Sequence, residues 1–180
     1  MEDFKSEILR LIELKQEGGY WDFKREWYVE SKIADLLHDI ICMANNLENR
    51  DAYIIIGVDD ENYELSDVTV DPNRKNTQKI VDFLKDKKFA GEIRPTVLVN
   101  QVIIQDVTLD VIVIKNSNKT PFYLKEKYRD INQNNIYTRI QDTNTPKHMS
   151  ADIDKVEYLW KKIRFNSNAN EKIRNLFERS

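Results

Sequence analysis

The run Tyr53-Ile54-Ile55-Ile56-Gly57-Val58 constrains this chain more than any other segment. It is apolar throughout and of strand length, which suits a strand covered on both faces at the centre of a sheet. Gly57 inside it predicts a bend or a close backbone approach. Two further strands are expected at about 96–104 and 107–114, with Gln105-Asp106 as the turn of their hairpin. Tyr20 to Trp27 reads as a strand rich in aromatics. Phe122-Tyr123-Leu124 and Ile136-Tyr137-Thr138 read as two more short ones.

Helical periodicity fills much of the rest. Phe4, Ile8, Leu11 and Ile12 share one face of a first helix, which Gly18-Gly19 is expected to stop. Ser31 is the expected N-cap of a second helix carrying Ile33, Leu36, Leu37, Ile40, Ile41 and Ala44. Asp71-Pro72 reads as the start of a third, with Ile80, Val81, Phe83 and Leu84. Ser150 is the expected cap of a fourth, with Ile153, Val156, Trp160 and Ile163 on one face. The alternation predicts an α/β (α+β) domain, a mixed β-sheet packed by helices. Its expected bounds are residues 1–165, with residues 166–180 as a helical tail.

Composition narrows the function. The chain has 180 residues, a net charge of -3 and a pI of about 5.5. Charge alone therefore gives no footprint of nucleic-acid binding, since such domains are usually basic. No apolar run approaches a membrane span, and the charged first residues lack the centre of a signal peptide. Cys42 has no partner for an internal disulfide, which suits a reducing, cytoplasmic compartment. No zinc spacing, Ser-His-Asp set or glycine-rich phosphate loop is present, so no ATP or NAD binding is expected.

Three stretches carry possible chemistry. In Glu17-Gly18-Gly19-Tyr20-Trp21-Asp22-Phe23-Lys24, Asp22 and Lys24 are two apart on a strand and so share a face. Asp59 and Asp60 follow the central strand. If the two strands pair, Glu17, Asp22 and Asp59 or Asp60 converge, and carboxylates with waters suit Mg²⁺ or Mn²⁺. Lys24 beside them would meet a phosphate, the equipment for metal-assisted phosphodiester cleavage. The third stretch is Tyr137-Thr138-Arg139 with Thr143, a second phosphate contact. Arg74, Lys75 and Lys79 form a further basic group, and Tyr20, Trp21, Trp27 and Tyr28 are candidates to stack on bases. The plain alternatives are surface acids, a salt bridge with a turn, solvated basic faces and aromatic core packing.

In this order and spacing the stretches resemble the Schlafen-type AlbA domains. The resemblance rests on Glu17 followed by Asp22-Phe23-Lys24, on Cys42-Met43-Ala44-Asn45, and on Ile56 to Asp60. It continues through Pro121-Phe122-Tyr123 and Tyr137-Thr138-Arg139 with Thr143, over about residues 5–150. It implies an AlbA-like Schlafen core lobe that binds nucleic acid, RNA before DNA. It also implies a metal-dependent endoribonuclease acting on structured RNA such as tRNA, with Glu17, Asp22 and Asp59 (or Asp60) as the acids. The alternative is a DNA- or RNA-binding regulator, or an interaction module, with a degenerate acid site. Two departures stand out. Asp22 replaces the family's Glu, one methylene shorter, and Asn49-Arg50-Asp51-Ala52 replaces a Gly-Gly turn. The paired lobes of Schlafen nucleases imply that a single lobe would form its groove as a homodimer.

Overall fold

The computed structural model describes residues 2–162. Its elements are α1 (Glu2–Glu13), β1 (Trp21–Lys24), α2 (Ile33–Ala44), β2 (Ala52–Ile56), α3 (Thr77–Lys85), β3 (Val97–Ile104), β4 (Val107–Ile114), β5 (Arg139–Ile140) and β6 (Thr143–Asn144). Residues 153–162 form α4. The expected tail at 166–180 lies outside the described residues. No helix among them is long and apolar enough to cross a membrane.

Four strands form one sheet in the order β1-β2-β4-β3. β1 runs parallel to β2, and the other neighbours are antiparallel. All five residues of β2 are buried, as the apolar run requires of a strand with neighbours on both sides and cover on both faces. One face packs with α1 through Ile8, Leu11, Phe23, Ile55 and Val111. The other packs with α2 and α3 through Leu37, Ile40, Ile54, Ile112, Ile80 and Leu84. Each such fully buried side chain contributes roughly 1.5–3 kcal/mol. Gln105 and Asp106 both take positive φ, 51° and 62°, as a two-residue turn twisted with its strands demands. Gly57 has φ 103°, and a Cβ there would lie 2.6 Å from the Ser66 carbonyl oxygen. The close approach expected of it is real.

Several expectations shift. The Gly18-Gly19 pair does not stop α1, which ends at Glu13; instead the Trp21 ring lies over Gly18, where a Cβ would be 2.2 Å from it. Asp71-Pro72 opens no helix. Asp71 accepts from the Trp27 and Asn73 amides, and α3 begins six residues later with Asn76 as its cap. Ser150 does not cap α4, because its hydroxyl oxygen is spent on the Ile136 amide. In α4 the buried residues are Leu159 and Lys162, whereas Ile153 and Trp160 are exposed. The segments 122–124 and 136–138 form no ladder; the strand lies one residue later, in the short hairpin β5–β6.

Those segments are held by Asn45, just past α2. Its side-chain amide donates to the Phe122 and Tyr137 carbonyls, both at 2.8 Å, and its Oδ1 accepts from the Phe122 amide at 2.8 Å. Its own carbonyl accepts from the Thr138 hydroxyl. One fully buried asparagine therefore stitches two distant loops to the end of α2 and delivers Arg139 to the sheet. Asn45→Ala leaves several buried backbone groups without partners. It is expected to lower the unfolding free energy by about 3 kcal/mol in urea titrations; an unchanged midpoint would contradict the stitching role.

Candidate functional site

Alternation along β1 builds the site. Trp21 and Phe23 enter the α1 core, so Asp22 and Lys24 point to the opposite face, beneath α2. There Lys24 Nζ lies 2.7 Å from Asp22 Oδ2 and 3.7 Å from Asp39 Oδ2. Asp39 also accepts from the Tyr28 hydroxyl at 2.6 Å and from the Asn144 amide at 2.9 Å. The Lys24 contact reaches Asp22 Oδ2 off the directions of a hydrogen bond, and no other donor serves that buried oxygen.

Arg139 closes the cluster from β5 and is only 2% exposed. Its Nε donates to the Gly18 carbonyl at 2.7 Å and its Nη1 to Asn144 at 3.0 Å. Its Nη2 donates to the Trp21 carbonyl at 3.2 Å and to Asp22 Oδ1 at 3.1 Å. Glu17 Oε2 stands 3.8 Å from the same nitrogen, and Glu17 Oε1 accepts from the Phe23 amide at 3.0 Å. Three carboxylates thus face two cations, all drawn from segments the fold holds rigidly.

Burial divides the three acids. Burial works against charge on Asp22, but Lys24 and Arg139 outweigh it and hold its carboxyl below the usual range. Burial and the neighbouring Asp22 charge push Glu17 up to about 7. Burial also raises Asp39, with Lys24 opposing it. Burial opposes the Lys24 charge in turn, yet Asp39 and Asp22 raise its pKa. The cluster is a mutually balanced set with Asp22 as its ionised centre.

Glu17, Asp22, Lys24 and Arg139 come together; the other candidates do not join them. Asp59 lies three residues past the end of β2, beyond Gly57 (φ 103°), where the Gly57 and Val58 amides both donate to the Lys24 carbonyl at the end of β1. Asp59 is partly exposed, and its carboxylate caps its own turn by accepting from the Glu61 and Asn62 amides. Asp60 is exposed in the same turn. The expected convergence of Glu17 and Asp22 with Asp59 or Asp60 is therefore corrected: parallel pairing brings β1 and β2 together but sends Asp59 beyond the end of β1. Arg139 turns inward, and its Nε, Nη1 and Nη2 donate to internal oxygens. Arg74 grips Asp110 with two bonds of 2.7 and 2.8 Å. Lys75 donates to the Asn73 carbonyl, and exposed Thr143 donates to Asp142. Trp21, Trp27 and Tyr28 are buried, and Tyr20 lies under the Arg50 guanidinium. These rings pack the protein rather than await bases.

A divalent metal does not fit this cluster as the side chains stand. Lys24 and Arg139 already flank both oxygens of Asp22, and a third cation there would meet two fixed positive charges. Among the described residues no three His, Cys, Asp or Glu side chains are grouped to hold a metal ion.

Asp39 is the member that sequence reasoning missed, though a signal for it was present. Eleven of the twelve residues of α2 are buried, and a helix apolar on nearly every side is a core helix. Asp39 lies inside the buried run from Leu36 to Ala44, unlike Asp35 in the first turn, and a buried carboxylate needs partners. The cluster opens onto a cleft of about 410 Å³ lined by Lys24, Arg25, Tyr28, Lys32, Asp35 and Asp39, among others.

A family model described as Schlafen, AlbA_2 matches residues 17–148, from the first acid of the cluster to beyond β6. Among solved structures the chain is similar to the DIP2311 protein from Corynebacterium diphtheriae. The two are 15% identical with a TM-score of 0.43, over 71% of this chain and 25% of that one. The chain thus spans about a quarter of that protein's length. No curated protein matches it.

The raised Glu17 carboxyl makes stability depend on pH with a definite sign. Between its ordinary value of 4.5 and about 7, the folded state binds the proton more tightly than the unfolded chain. This contribution is complete below 4.5 and is lost as pH rises through 7. Glu17→Gln keeps an acceptor for the Phe23 amide and removes the charge. The variant is expected to gain on the wild type across this window, by on the order of 2 kcal/mol above pH 7. A stability difference that stays flat with pH would contradict the buried, coupled placement of Glu17.

Proposed function

We propose that this chain, which belongs to the Schlafen, AlbA_2 family, binds nucleic acid without needing a metal ion to do so. The family supports nucleic-acid binding. The observation that carries the metal-free reading is the occupation of Asp22 by Lys24 and Arg139, at 2.7 and 3.1 Å. Those two cations compensate the acids internally and fix β1, α2 and the β5–β6 hairpin in one arrangement. The acids then act as a scaffold charge set, and the side chains that meet phosphates lie elsewhere on the surface. RNA is the first partner to try, with DNA as the comparison.

Hydrolysis at Glu17 and Asp22 is the competing reading, and the observation in its favour is that buried Asp22 Oδ2, though in ion-pair contact with Lys24, accepts no well-directed hydrogen bond. Both readings are separated by incubating the protein with total tRNA and with single- and double-stranded DNA, in Mn²⁺ and in EDTA. Binding that weakens steeply with salt, is equal in Mn²⁺ and EDTA, and leaves the strands intact is expected. Mn²⁺-dependent cutting that disappears in Glu17→Gln would overturn the metal-free reading.

A further inference from the structure

The cations of this protein are not spread evenly among acids. Two clefts lie along the seam between α3 and the edge strand β3. One, of about 330 Å³, sits at the start of α3 beside Arg74, Lys75, Lys79, Gln101 and Asp110. The other, of about 370 Å³, sits at its end beside Lys85, Glu92, Arg94 and Lys119. The first cleft reaches Val99 and the second Val97, alternate residues on one face of β3. The two therefore open along the same seam, a few ångströms apart at strand spacing. The Val99 amide donates to the Thr77 hydroxyl at 2.9 Å, which pins the first turn of α3 to the sheet edge.

The charge of this seam is opposite to that of the chain. Its lining holds six cations, Arg74, Lys75, Lys79, Lys85, Arg94 and Lys119, against the acids Asp110 and Glu92. The whole chain has a net charge of -3. Only Arg74 of the six forms an ion pair with another described residue, and it consumes Asp110 in doing so. The remaining five have no carboxylate partner among the described residues. Elsewhere Arg10, Arg50, Lys115, Arg129 and Lys147 reach acids, while cations such as Lys5, Lys15, Lys32 and Lys125 stand singly on other surfaces and line neither of these two clefts. A surface that leaves this many cations uncompensated along one groove, on an acidic protein, matches a polyanion with regularly spaced charge.

We propose that the α3–β3 seam holds a sugar-phosphate backbone, with Lys75 and Lys79 at one end and Lys85, Arg94 and Lys119 at the other. This inference rests on the nucleic-acid-binding reading above and assigns it a surface. The contacts are to phosphates, so they set affinity and orientation and not sequence. Gln101 stands at the Arg74 end of the seam, where its side-chain oxygen accepts from Arg74 at 3.2 Å.

The test uses fluorescently labelled RNA and DNA oligonucleotides of unrelated sequence, single-stranded and duplex, read by anisotropy over a salt series. Lys79→Glu with Lys85→Glu reverses two exposed seam charges. Lys5→Glu with Lys15→Glu makes the same change in net charge beside α1, on the opposite face of the sheet. The seam variant is expected to bind about tenfold or more weakly for every sequence, with a shallower salt slope, while the α1 variant binds much as wild type. Thermal unfolding of both variants checks that each is folded; a seam variant that fails this check is replaced by Lys79→Gln with Lys85→Gln, expected to lower affinity in the same direction. Wild-type binding that survives the seam changes, or that falls equally in both variants, would overturn the seam and leave nucleic-acid binding standing. A wild type that binds none of the oligonucleotides would overturn both.

Discussion

Arg139 is the side chain on which the arrangement of this protein depends. It arrives from a two-residue strand late in the chain and ends against the second residue of β1. A guanidinium so deeply buried is tolerated only when its nitrogens find oxygens. Here the Gly18 and Trp21 carbonyls, Asn144 and Asp22 supply them. Removing one partner would strand the others, which is where buried ion pairs exert their largest effect on stability. The same contacts explain the glycine at 18: its bare Cα lets the Trp21 ring lie over it while its carbonyl meets Arg139.

Asn45 and Arg139 together give a physical account of why short, separated motifs occur in one chain. Asn45 ties the ends of two loops to α2, and one residue beyond Thr138 the chain turns Arg139 inward to Asp22. The acid stretch, the asparagine after α2, the Pro121-Phe122 pair and the Tyr137-Thr138-Arg139 stretch are therefore parts of one internal network. A motif set of this kind marks the fold before it marks any chemistry.

Much of the fold was legible in the sequence because it rests on period and turn chemistry. The all-apolar run of β2, the β3–β4 hairpin with its Gln105-Asp106 turn, and the periodic faces of α1 and α2 are local signals. What escaped was decided by long-range partners. Asp71 looks like a helix cap but is claimed by the Trp27 amide, and Ser150 is claimed by Ile136 in the same way. The site was half legible. Alternation on β1 placed Asp22 and Lys24 on one face, whereas the third acid came from α2 and not from the turn after β2. Asp59 falls past the last pair of the β1–β2 ladder, and the packing of α2 over β1 brings in Asp39.

The central claim is that the protein's own cations fill the place where a divalent ion would otherwise balance these acids. It is tested most directly by following thermal unfolding while Mn²⁺ is titrated into the protein. An ion that binds the folded state raises Tm in a saturable, concentration-dependent way. A Tm that Mn²⁺ leaves unmoved, in the wild type and in Glu17→Gln alike, is the result expected of a filled cluster. A saturable rise in the wild type that Glu17→Gln abolishes would contradict it.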